Sequence, residues 1–164
     1  MIRIGNGYDS HRFDAERPLV LGGVRIPDAP GLAGHSDADA VLHAVTDAVL
    51  GAISAGDIGD LFPDTDPRHK NADSTGFLNR AMTLAEERNY RVGNLDVTIL
   101  AQKPKLKDHK PAIRRRLAEL LRTSESCVSI KAKTNEGMGF VGRAEGIAVL
   151  ASVLMVSGKP GITG

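Results

Sequence analysis

The longest apolar run in the chain, Ile147 to Val156, sets the first limit on its fold. It is too short to cross a bilayer, which takes about 20 residues. It is rich in β-branched residues and reads as a strand buried on both faces, with a short core helix as the alternative. The core around it must be aliphatic, because the chain has no Trp and aromatic residues make up only 4%. At 164 residues the chain has the size of one ordinary domain. Its boundaries are read as 1–164, with the Gly/Pro-rich residues 158–164 as a frayed tail.

The rest of the chain alternates between strand and helix signals. Ile2 and Ile4 open a strand that continues toward His11. Leu19-Val20-Leu21, Gly22-Gly23 and Val24-Arg25-Ile26 read as a hairpin, which Pro27 ends. Ser36 reads as the N-cap of a helix carrying Val41, Leu42, Val45, Val49 and Ile53, and Gly56 stops it. A long polar, acidic stretch from Gly56 to Ser74 follows, and Gly59 to Ser74 is the candidate lid. Ser74 then caps a second helix with Phe77, Leu78, Ala81 and Leu84 inward. Val92 to Ala101 is a strand with Leu95, Val97 and Ile99 on one face. Pro111 suits the first turn of a third helix bearing Ile113, Leu117, Leu120 and Leu121. Val128 to Lys133 is a strand, and Gly137 to Gly146 a glycine-rich loop. This order predicts an α+β fold, a mixed β-sheet with helices packed on one face.

Charge excludes some functions. Lys plus Arg number 21 and Asp plus Glu 20, a net +1. That balance gives no case for nucleic acid or a membrane surface as partner, so any anion site must be local. The only cysteine, Cys127, allows no internal disulfide and fits a reducing, cytoplasmic setting. The start of the chain carries no charged leader followed by an apolar stretch, so no signal peptide is expected.

Asp9-Ser10-His11 is the sharpest local feature. Residues two apart on a strand point to one side, so a carboxylate and an imidazole would converge, as zinc ligands do. Alone, the pair is equally a surface Asp beside an unrelated His. Asp39, His43 and Asp47 lie four apart on one helical face, which is either an exposed, charge-laced face or a stripe whose acids orient the His43 ring; the apolar residues around His43 favour the second. If His43 joins Asp9 and His11, three protein ligands leave a fourth position open, the catalytic rather than the structural pattern. His35 and Ser36 stand at a helix start, where amides favour phosphate, but alone they read as no more than a loop residue and a cap. Asp57, Asp60, Asp64 and Asp66 suit a magnesium ion, sugar hydroxyls, or merely a soluble loop. Ala101 to Lys107 and Lys131 to Gly139 offer the lysines and exposed amides a diphosphate needs, with Glu136 available for a hard cation.

Together these segments resemble the 2-C-methyl-D-erythritol 2,4-cyclodiphosphate synthase family. The resemblance runs through Gly7-Tyr8-Asp9-Ser10-His11, Leu21-Gly22-Gly23-Val24-Arg25-Ile26-Pro27, His35-Ser36-Asp37-Ala38-Asp39 and Leu42-His43-Ala44. It continues in Gly56-Asp57-Ile58-Gly59, Phe62-Pro63-Asp64-Thr65-Asp66, Gly93-Asn94-Leu95-Asp96-Val97-Thr98 and Gly139 to Ala148.

The resemblance implies zinc on Asp9, His11 and His43, and Mg²⁺ or Mn²⁺ on Glu136. It places Asp9, Ser10, His11, His35 and Ser36 against the substrate. Asp57, Ile58, Gly59, Phe62, Pro63, Asp64, Thr65 and Asp66 would hold its methylerythritol. Ala101, Gln102, Lys103, Pro104, Lys105, Leu106 and Lys107, with Lys133, Thr134, Asn135 and Glu136, would hold its cytidine diphosphate. His35 and Thr134 would stabilise the transition state. The single domain would be catalytic and work as a homotrimer with sites between subunits. Phe140 and Arg143 would meet an isoprenoid diphosphate in an axial cavity. Family members more often read Ala-Thr-Thr-Thr-Glu where this chain has Ala132-Lys133-Thr134-Asn135-Glu136, which bears on nucleotide contacts. The rival readings are a zinc phosphodiesterase or pyrophosphatase, a non-catalytic module that binds isoprenoid diphosphates, and a structural zinc protein.

Overall fold

The structure, a computed structural model, describes residues 1–62 and 72–158. Five strands, β1 Ile2–Leu21, β2 Val24–Leu32, β3 Tyr90–Leu100, β4 Val128–Lys133 and β5 Gly146–Ser157, form one sheet in the order β2-β1-β5-β3-β4. β3 and β4 run parallel; the other neighbours are antiparallel. The helices are α1 Ala40–Ala52, α2 Ile58–Leu61, α3 Ser74–Glu87, α4 Lys110–Leu120 and α5 Gly139–Gly142. This is the expected α+β arrangement with a mixed sheet.

The apolar run is a strand, not a helix. It lies between β1 and β3, where branched side chains pack well on a pleated surface. Only its first residues are buried on both faces. From Leu150, which is 49% exposed, burial alternates, because one face of the sheet has no layer over it in the single chain.

The first strand and the first arm of the hairpin are one element. β1 pairs with β5 as far as Arg12 and with β2 from Phe13. The hairpin turns at Gly22 and Gly23, both at positive φ (62° and 73°), as a two-residue turn of this hand demands. Pro27 does not end the second arm. Leu19 pairs with Ile26 but Pro18 pairs with Pro30, so residues 27–29 bulge out and the ladder resumes beyond them.

Helix starts differ from the sequence reading in a consistent way. Asp39, not Ser36, caps α1, accepting from the amides of Val41 and Leu42 at 3.1 and 3.0 Å. Asp73, not Ser74, caps α3 through the Thr75 amide at 2.8 Å. α1 stops at Ala52, short of Gly56; Arg3 donates to the Ala52 carbonyl and Arg88 to that of Ile53. The acidic loop contains a helical turn, α2, closed by a capping box between Asp57 and Asp60. The glycine-rich loop contains another, α5.

The core lies between one face of the sheet and α1, α3 and α4, and is almost wholly aliphatic. Two glycines decide how close α1 comes. A Cβ on Gly5 would sit 1.9 Å from the Ala48 carbonyl oxygen, and one on Gly7 1.9 Å from that of Ala44. The two elements stay in step, since four helical residues rise about 6 Å and two strand residues about 6.7 Å. The next inward positions on β1 are Asp9 and His11. The next turn of α1 carries His43, whose side chain leans back toward the helix start. Packing without side chains at Gly5 and Gly7 therefore brings the three residues together.

Candidate metal centre

The three side chains meet. Asp9 Oδ2 lies 2.9 Å from His11 Nε2 and 3.0 Å from His43 Nδ1, and the two imidazole nitrogens are 3.3 Å apart. Among the described residues this is the one group of three such donors arranged for a metal ion. Ligands about 2.0–2.1 Å from a tetrahedral cation sit about 3.3 Å from one another. The donor triangle therefore fits one face of such a shell after small outward adjustments.

Hydrogen bonds orient both rings, and one of them sets the His11 tautomer. His11 Nδ1 lies 2.7 Å from the Ala33 carbonyl, which can only accept, so this nitrogen carries the hydrogen and Nε2 is free to ligate. His43 Nε2 faces the hydroxyls of Ser74 (2.9 Å) and Ser36 (3.0 Å), leaving Nδ1 for the cation. Burial pushes the Asp9 carboxyl up, but hydrogen bonds and positive charge from His11 and His43 outweigh it and take the carboxyl down to about 2. Burial pulls His11 down, and the Asp9 carboxylate, with help from Ala33 and against Arg17, raises it above its ordinary value.

A cavity of about 310 Å³ opens beside the donors, lined also by Gly34, His35, Ser36, Ile58, Phe62 and Phe77. That is enough for a small phosphorylated ligand. Arg17 fixes the backbone on both sides of His35, donating to the carbonyls of Gly34, at 2.6 Å, and Ser36. Ser36 lines the cavity, but its hydroxyl is buried against His43 and Ser74.

The acids expected to orient His43 do other work. The Asp39 carboxylate accepts from four amides, Gly22 and Gly23 of the hairpin turn as well as Val41 and Leu42, and so pins the hairpin to α1. Asp47 accepts the Ile58 amide at 2.8 Å and anchors α2, which lines the cavity. Burial, then the nearby Asp57 and Asp9, raise the Asp47 carboxyl against the pull of that amide and of His43.

A second cavity, about 320 Å³, is lined by Ala101, Gln102, Pro104, Lys105, Leu106 and Lys107 with Ala132, Lys133 and Thr134. The two segments are joined by the Ala101 amide donating to the Lys133 carbonyl at 2.9 Å. Lys103, Asn135 and Glu136 do not line it. Glu136 accepts from the Thr134 hydroxyl at 2.9 Å. Phe140 is partly exposed on α5, and Arg143 pairs with Glu145 at 2.6 Å. The two cavities share no lining residue, so His35 stands at one and Thr134 at the other. A larger cavity, about 620 Å³ beside Met82, Tyr90 and Arg122, holds no such donor cluster among the described residues, so volume does not locate the chemistry. Pro63, Asp64, Thr65 and Asp66, most of the candidate lid, and the tail from Lys159 lie outside the described residues.

Sequence reasoning missed Arg17, Phe77, and the pair Asp37 and Ser74. A usable signal existed for the last two. Asp73-Ser74 and Ser36-Asp37…Asp39 each contain more cap-type residues than one helix start can use, so some are free for other work.

Fold and site define a class: a small α+β protein that gathers two imidazoles and a carboxylate for a divalent cation at the mouth of a phosphate-sized cavity. Within that class the chain belongs to the YgbB family, whose model matches residues 2–156. It is 55% identical over 155 residues to a 2-C-methyl-D-erythritol 2,4-cyclodiphosphate synthase of Proteus mirabilis, covering 94% of this chain and 97% of that one. A synthase of the same name from Halalkalibacterium halodurans is 54% identical, with 95% and 99% covered. Among solved structures it resembles the bifunctional IspDF of Campylobacter jejuni (TM-score 0.93, 45% identity), covering 97% of this chain but only 43% of that one. It also resembles a CDP complex of Plasmodium falciparum IspF (TM-score 0.84, 37% identity; 96% and 97% covered).

Proposed function

We propose that the chain is a metal-dependent cyclase. It converts 4-diphosphocytidyl-2-C-methyl-D-erythritol 2-phosphate to 2-C-methyl-D-erythritol 2,4-cyclodiphosphate and CMP, a step of the non-mevalonate isoprenoid pathway. The observation that carries this is the Asp9, His11 and His43 triangle, with the His11 tautomer set to ligate.

Zinc is the proposed occupant, since two imidazoles and one carboxylate with an open position make a catalytic zinc set. When bound, it would neutralise phosphate charge and polarise phosphorus as a Lewis acid. The nucleophile belongs to the substrate: its 2-phosphate oxygen attacks the β-phosphorus, that phosphorus–oxygen bond forms, and the bond to CMP breaks. The protein's task is positioning and charge balance. His35, held by Arg17, would donate to a phosphate oxygen. Lys105, Lys107 and Lys133 would hold the nucleotide diphosphate. Thr134 would act beside Glu136, which would take Mg²⁺ or Mn²⁺.

The homotrimer is part of this proposal. Ile2, Ile4, Tyr8 and Leu150 are exposed on one face of the sheet, and Tyr8 pairs with Leu150 across the strands. An apolar sheet face of that kind favours a protein partner, and closed symmetric assembly is the common solution. It would bring one subunit's metal cavity beside its neighbour's nucleotide cavity, with Phe140 and Arg143 toward an axial isoprenoid diphosphate. The cytoplasm is its proposed place; among the described residues no helix is long and apolar enough to cross a membrane.

Purified protein given the cytidyl substrate with Zn²⁺ and Mg²⁺ is expected to release CMP and a cyclic diphosphate. His43→Ala should lose zinc and reduce turnover by at least about 10²–10³-fold. A linear phosphate product would make the chain a hydrolase, and normal zinc and turnover in His43→Ala would remove the assignment.

A further inference from the structure

To hold a cation through Nδ1, His43 must carry its hydrogen on Nε2 and keep its ring plane fixed. What faces Nε2 is a hydroxyl pair, and a hydroxyl oriented to accept must send its own proton elsewhere. Ser74 has somewhere to send it. Its hydroxyl donates to the Asp37 carboxylate, whose other oxygen takes the backbone N–H of Ser74 at 3.2 Å. Ser74 is fully buried, so no water competes for that hydroxyl. Asp37 is itself held in place: its amide donates to the Ala72 carbonyl at 3.1 Å, and its carboxylate accepts the Asp39 amide at 3.2 Å. An ionised carboxylate only accepts, so the direction of the whole chain is fixed, from His43 Nε2–H to the Ser74 hydroxyl and from that hydroxyl to Asp37. Ser36 also lies near Nε2, but its oxygen already accepts the Ala38 amide at 3.2 Å, and among the described residues no carboxylate backs it.

We infer that Asp37 and Ser74 form a carboxylate–hydroxyl–imidazole relay that sets the ligating tautomer and ring plane of His43, making both positioning residues of the cation site. The inference rests on the reading of Asp9, His11 and His43 as ligands. Neither residue is one of the three donors, and neither lines the metal cavity. Ser74 lies where a helix cap was expected and Asp37 beside the other expected cap, Ser36; a neighbouring aspartate, Asp73 for the one and Asp39 for the other, does the capping instead. The relay also ties the start of α3 to the loop before α1, so the ring of His43 is braced from two elements besides its own helix.

The test compares wild type, Asp37→Asn and Ser74→Ala, each stripped of metal with a chelator. Zinc is titrated against a chromophoric competitor, and the cobalt(II) form is followed by its visible absorption. Asp37→Asn keeps the shape and removes the charge, so it reads the relay even if Ser74→Ala folds poorly. Each variant is expected to bind zinc about 10–100-fold more weakly than wild type, with altered cobalt bands. A folded Asp37→Asn with wild-type zinc affinity and cobalt spectrum overturns the relay. So does a variant that loses only thermal stability, since that assigns the pair to packing alone. A wild type that binds no zinc is a different failure, for it takes down the ligand assignment on which the relay stands.

Discussion

At the scale of single residues, the metal cluster is held in the metal-free protein by the ion pair of Asp9 and His11. The Asp9 carboxyl falls from 3.8 to about 2, so its stabilising effect is present above 3.8 and lost as pH drops toward 2. The His11 imidazole is raised above 6.5, so its effect is present below 6.5 and lost as pH rises through the higher folded value. Both conditions hold together between roughly pH 4 and 6.5. A bound cation reverses the trend on the alkaline side, because it must displace the proton from His11 and therefore binds better as pH rises. The chelated protein should lose melting temperature as pH rises above 6.5, while the zinc-loaded protein gains over the same rise. Asp9→Asn should flatten both curves. Scanning calorimetry of the two forms across that range checks the signs, and parallel curves would contradict the electrostatics of the cluster.

At the scale of elements, the register of α1 on β1 sets the site, and Gly7 controls it. A methyl group at Gly7 would press on the carbonyl of Ala44, which is backbone and cannot rotate away. Gly7→Ala should cost about 2–4 kcal/mol, somewhat more than ordinary overpacking, and should also weaken zinc binding by shifting His43. Denaturant melts and a zinc titration measure the two effects, and a loss of stability with full zinc affinity would mean that α1 does not carry His43 as argued. The same register explains what the sequence could reveal. Alternation in β1 brought out Asp9 and His11, helical spacing brought out His43, and Gly22-Gly23 marked the turn, because each signal is local. Surplus cap-type residues mark Asp37 and Ser74 as free for other work, but what they do, like the role of Arg17, is not legible, since their partners are 37, 31 and 17–19 positions away and depend on how α1, α3 and the hairpin pack. Ser36 was misread as a cap because several residues nearby are equally good caps. Only burial of the Asp39 carboxylate against the hairpin amides selects among them.

At the scale of the whole molecule, the two cavities pose a question that the single chain does not answer within itself. Its metal cavity holds His35 and His43, its other cavity Lys133 and Thr134, and no lining residue is shared. A reaction that needs both must either bring them together within one chain or draw them from neighbouring copies. The second route makes a prediction that the first forbids. His43→Ala damages only the metal half and Thr134→Ala only the nucleotide half, and each homogeneous variant should be nearly inactive. In a trimer assembled from an equal mixture, a working interface needs an intact metal half from one subunit and an intact nucleotide half from the next. Random assembly satisfies that at about one interface in four, so co-expressed variants should recover about a quarter of wild-type turnover. Mixing the two after separate purification should recover little until subunits exchange, and substituting Ile4 on the apolar sheet face with Glu should abolish both the trimer and the recovery. Turnover of the co-expressed mixture, alongside sedimentation of the same sample, decides the matter. A trimer that recovers nothing would mean that each chain completes its own site, and the apolar face would then serve assembly alone.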